Sequence, residues 1–89
     1  MTGGFGSPST EVSREVAEAA AYAVKTQQAK NPDSPLILVK VLDSQIQVVA
    51  GLNFRMYLKV LSNGRPTVAE ALVYRDLKNK FSLTSWTWK

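Results

Sequence analysis

Hydrophobic spacing divides the chain into one helical stretch and a strand-forming remainder. Val12, Val16, Ala19, Ala20, Ala23 and Val24 fall at offsets 0, 4, 7, 8, 11 and 12, the stripe of one amphipathic helix. This spacing predicts a helix from Glu11 to about Lys30 with a face of small side chains, onto which a sheet can pack closely. Ser9 or Thr10 is placed to cap it, and Glu11 and Glu15 sit near the positive end of its dipole. Asn31-Pro32 ends it, because the residue before a proline avoids helical geometry. From Leu36 the period becomes two. Leu36 to Val49 reads as one long strand, in which Val39 and Val41 flank Lys40 and Gln45 and Gln47 interleave with Ile46 and Val48. Leu52 to Leu61 alternates apolar with polar residues, as a strand buried on one face does. Thr67 to Arg75 and Lys80 to Trp88 are the third and fourth strands, joined by Asp76 to Asn79. Asn63-Gly64 supplies the positive φ that the turn between the second and third strands needs. One helix followed by consecutive antiparallel strands defines an α+β class, with a sheet meander wrapped around one N-terminal helix.

Composition narrows the function. The chain has 89 residues, and that length fits a single domain spanning residues 1–89. It contains neither cysteine nor histidine. That excludes a thiol nucleophile, a Ser-His-Asp or Cys-His constellation, a zinc site of the usual ligand types and a disulfide framework, so no enzyme activity, metal or cofactor is expected. Residues 1–8 hold three of the five glycines and no charge, which describes a flexible arm. The amino end has neither a basic start nor an apolar run, and no membrane span is visible. A cytoplasmic location is the expectation, with secretion the alternative if a signal peptide has been removed.

One connection is chemically unusual. Between the first and second strands Gly51 is the sole normal turn residue, preceded by the apolar Val48-Val49-Ala50. Pattern alone allows either a bulge in one bent strand or a reversal that exposes an apolar tip for binding. Gln47-Val48-Val49-Ala50-Gly51 resembles the Gln-x-Val-x-Gly loop of the cystatins, inhibitors of papain-like cysteine proteases. Gly51-Leu52-Asn53-Phe54, the helix segment Glu15–Val24, the Gly3-Gly4 pair, Leu72-Val73-Tyr74 and Leu83-Thr84-Ser85-Trp86 extend the likeness in the same order along the chain.

The resemblance implies a disulfide-free cystatin, of stefin or phytocystatin type, that occludes the active-site cleft of a papain-like cysteine protease reversibly and competitively. Gly3, Gly4 and Phe5 would form one contact segment, Gln47, Val48, Val49, Ala50 and Gly51 the second, and Asp76 and Leu77 the third. The family's Pro-Trp in the second hairpin is missing here, and Leu77 offers a smaller apolar contact in its place, which implies weaker or more selective inhibition. The alternative is a non-inhibitory module of the same fold that binds nucleic acid, polysaccharide or protein through a basic sheet.

The remaining side chains sharpen this little. Trp86 and Trp88 are two apart on a strand and read as covering for the sheet. The seven carboxylates are scattered, with no pair arranged for acid–base chemistry. Eleven Lys and Arg give a net charge of +4, but no basic cluster or RNA-binding aromatic signature accompanies them, so nucleic acid is not the expected partner. A monomer is expected, and opening at Val49 would permit a strand-swapped dimer.

Overall fold

The computed structural model describes residues 13–89. Helix α1 covers Arg14–Lys30, and its cap is Ser13 rather than Ser9 or Thr10. Ser13 adopts extended backbone and its Oγ accepts a hydrogen bond from the Val16 amide at 3.2 Å, satisfying one of the free amides of the first turn. The helix therefore begins at Arg14, three residues after the expected start at Glu11, because Ser13 is extended; Ser9, Thr10, Glu11 and Val12 lie outside the described residues. Glu15 remains in the first turn, and the helix stops at Asn31 ahead of Pro32.

Four strands follow: β1 Leu36–Val49, β2 Gly51–Ser62, β3 Arg65–Arg75 and β4 Phe81–Trp88. They form one antiparallel sheet in the order β1-β2-β3-β4, so every connection is a hairpin. The connection between β1 and β2 is a reversal, with Val49 paired to Gly51 and Ala50 alone at the apex. Between β2 and β3 the backbone of Asn63 (φ 53) and Gly64 (φ 79) turns left-handed, as the Asn-Gly pair predicts.

The helix lies on one face of this sheet. Val16, Ala19, Ala20, Ala23 and Val24 are all buried there. Small helix side chains meet bulky strand ones, because Phe54, Met56, Leu58 and Val60 of β2 are fully buried opposite them. On the same face Ala69 and Ala71 of β3 pair across the ladder with Trp88 and Trp86 of β4, so that large side chains stand beside small ones. Trp86 packs on the core and meets Trp88 edge to face at a centroid distance of 5.4 Å.

Strand β1 departs from simple alternation. Val39 and Leu42 are each an extra residue against β2, which makes two bulges. Val41 is consequently buried while Val39 is 50% exposed, although the pattern places them on the same face. Each bulge resets which side chains face inward and increases the local twist, so β1 curls toward the helix instead of running flat.

Candidate functional site

Chain direction gathers both apolar tips at one end of the sheet. In a four-strand meander the β1–β2 and β3–β4 connections share an end, and the β2–β3 turn lies at the other. The carboxy-terminal end of the helix is tied to that other end: Gln28 Oε1 accepts from the Leu36 amide, and Gln28 Nε2 donates to the Ser34 carbonyl at 2.9 Å. Eight residues before Lys30, Tyr22 stacks on Phe81 at the start of β4, with ring centroids 5.3 Å apart. The amino-terminal end of α1 therefore points toward the end that carries the two tips.

The first tip is the apex of the β1–β2 hairpin. Val48 and Val49 are 40% and 42% exposed, and Ala50 is exposed between the paired Val49 and Gly51. Gln47 sits lower on the stem, half-buried, where its Oε1 accepts from Asn53 Nδ2 at 3.3 Å. Its side chain braces the hairpin stem across the ladder. Gly51 has a φ of +117°, and a Cβ there would collide with the Arg75 carbonyl oxygen and lie 2.9 Å from the Tyr74 hydroxyl. Glycine is thus required by backbone geometry and by crowding together. The Tyr74 hydroxyl in turn donates to the Ala50 carbonyl.

The second tip is the loop from Asp76 to Lys80. Asp76 Oδ1 accepts from the amides of Lys78 and Lys80 at 2.8 and 2.9 Å, and the Asp76 amide donates to the Lys80 carbonyl at 2.9 Å. Asn79 closes the loop with a φ of 64°. These bonds hold the backbone from within and leave Leu77 80% exposed, more than any other large apolar side chain among the described residues. Arg75, Lys78 and Lys80 flank it in sequence, and the Asp76 carboxylate is engaged by its own turn. Asp76→Ala should leave the core intact but loosen this loop, with a loss of roughly 1 kcal/mol in chemical denaturation and faster amide exchange at Lys78 and Lys80. Unchanged exchange there would show that the side chain does not organise the loop.

Of the residues that sequence reasoning places in the site, Val48, Val49, Ala50, Gly51, Asp76 and Leu77 come together at this end. Gln47 supports them from the stem. Gly3, Gly4 and Phe5 lie outside the described residues. Tyr74 is the participant that sequence reasoning does not single out. Its part depends on a contact spanning 24 residues, which no local pattern signals. Among the described residues no group of acidic side chains could hold a metal ion, and no helix is long and apolar enough to cross a membrane.

Two exposed apolar tips, each with backbone groups hydrogen-bonded by a side chain of β3 or its loop, stand at this end of the sheet. Residues 10–88 match the model of the aspartic acid proteinase inhibitor family, SQAPI, and the chain belongs to that family. The protein is therefore an inhibitor-family member and not an enzyme. Among curated proteins none matches it.

Family membership overturns the cystatin resemblance, and with it papain-like cysteine proteases as the target class and the partners. The physical reason lies in what Gln47–Gly51 encodes. Gly51 answers a positive φ and a crowded backbone, Gln47 a cross-strand bond, and Val48 to Ala50 an apolar apex. Those are requirements of a tight exposed hairpin, and they do not specify which enzyme receives it. The missing Pro-Trp, which the cystatin resemblance reads as weakened inhibition, marks instead a second tip built on Leu77.

Proposed function

We propose that this protein inhibits aspartic proteinases by occlusion, placing Val48, Val49, Ala50 and Leu77 in the substrate cleft. The match across residues 10–88 is the observation that carries the target class. Aspartic proteinases work with two carboxylates that share a proton, and they act on a peptide presented across that pair. The hairpin apex is poorly suited to cleavage, because the residues on either side of Ala50 are paired with each other rather than free to extend. Arg75, Lys78 and Lys80 place positive charge beside the second tip, which complements a cleft centred on carboxylates. Residues 1–89 act in this reading as one domain, with Gly3, Gly4 and Phe5 as a third contact segment and Gln47, Gly51 and Asp76 as supports.

Architecture and target class are separable, since one fold can carry unrelated functions. We read the helix clasped by a curled four-strand meander as the cystatin-like architecture, here serving a different class of proteinase. Titrating pepsin and papain in parallel with the full chain tests the assignment. Competitive inhibition of pepsin with papain unaffected is the expected result. Inhibition of papain alone would overturn it.

A further inference from the structure

We propose that Tyr74 is a positioning residue that locks both hairpin tips into one binding edge, an inference that rests on reading this edge as the inhibitory surface. Ala50 stands outside the β1–β2 ladder, so its carbonyl has no cross-strand partner within the hairpin. The Tyr74 hydroxyl supplies one from β3. The phenol ring also crowds Gly51, where Cε1 would lie 3.1 Å from an added Cβ. The apex is thus gripped twice, by a hydrogen bond at Ala50 and by close packing at Gly51.

Tyr74 stands two residues before Asp76, whose carboxylate holds the Leu77 loop. Strand β3 therefore braces one tip through a side chain and continues directly into the other. The β2–β3 register is continuous through Tyr74, which faces Asn53 on that side, and on the other side Tyr74 faces Ser82 just past a bulge at Thr84 of β4. Two loops that could each move separately are fixed in relative position. A partner that needs both then orders neither on binding, and complexes prearranged in this way dissociate more slowly.

Tyr74→Phe keeps the ring and removes the hydroxyl. Expected are a rise of about tenfold in the inhibition constant against pepsin through faster dissociation, and a melting temperature within about 4 °C of the original. Amide exchange at Val49 to Gly51 should accelerate, while exchange at Lys78 and Lys80 stays as it was. An unchanged inhibition constant overturns the proposal, and so does a loss of affinity that merely tracks a large fall in melting temperature. If the unaltered protein inhibits neither pepsin nor another aspartic proteinase, the inhibitory reading fails. The exchange measurement then decides the clamp alone, which is overturned if the variant's tip amides exchange at the original rate.

Discussion

Replacing Val49 and Leu77 together by serine should reduce inhibition of pepsin by at least about 100-fold while leaving the free protein folded. Each side chain is substantially exposed in the free protein and would lose water chiefly on binding. Fully burying a valine or leucine is worth about 1.5–3 kcal/mol, and each 1.4 kcal/mol is tenfold in affinity. Serine removes that apolar area without adding a charge, so no new attraction to the proteinase's carboxylates complicates the result. Val49 is the appropriate valine because its cross-strand partner is Gly51, which has no side chain, whereas Val48 pairs with Leu52, which packs against the core. Surface changes of this kind usually alter stability by less than about 0.5 kcal/mol. Thermal unfolding and inhibition titrations on the same preparation separate the two effects. Full inhibition by the double variant would show that these tips are not the contact surface.

Gly51→Val should damage stability and inhibition together. Valine at a φ of +117° is strained in any surroundings, and here its Cβ would also drive into the Arg75 carbonyl oxygen of β3. That obstacle is the backbone of the last β3 residue, paired to Leu52 and Phe81 on either side, and cannot swing aside as the end of a flexible side chain could. Backbone strain of this type costs about 1–3 kcal/mol before the collision is added. A fall of about 10–20 °C in the melting temperature is expected for a chain of this length, with inhibition lost because the apex no longer seats under Tyr74. Gly64 is the internal control. It too has positive φ, at +79°, but nothing lies within 4 Å of where its Cβ would be, so Gly64→Ala should cost much less. A Gly51→Val protein that melts where the original does would refute the crowded-apex geometry.

Most of the fold can be read from spacing because spacing is local. A helix needs its apolar residues every three or four positions and a strand every second, and α1 and all four strands lie within two residues of where those periods place them, apart from the helix start. That start is marked by Ser13, whose extended backbone and hydroxyl bond to the Val16 amide set the boundary, and spacing alone does not single this serine out. Val39 shows the limit of periodicity: its exposure follows from the bulge at its own position, and a bulge is defined only against the partner strand. Leu42 is the other extra residue, and nothing in the alternation around it announces one.

The site divides in the same way. That Val48 to Gly51 form something unusual is visible from composition, since an apolar stretch ending in glycine is neither an ordinary turn nor an ordinary strand. That they form an exposed apex, and that Leu77 stands at the same end of the sheet, depends on strand order and chain direction. The class of proteinase is not encoded in those five residues, and it emerges only from similarity along nearly the whole chain. Residue periodicity and composition were sufficient for the helix, the four strands and the absence of cysteine and histidine chemistry, because each is a property of neighbours in sequence. The grip of Tyr74 on Ala50, the need for glycine at position 51 and the assembly of two tips into one edge arise only where β1, β2 and β3 meet, between residues that are distant along the chain.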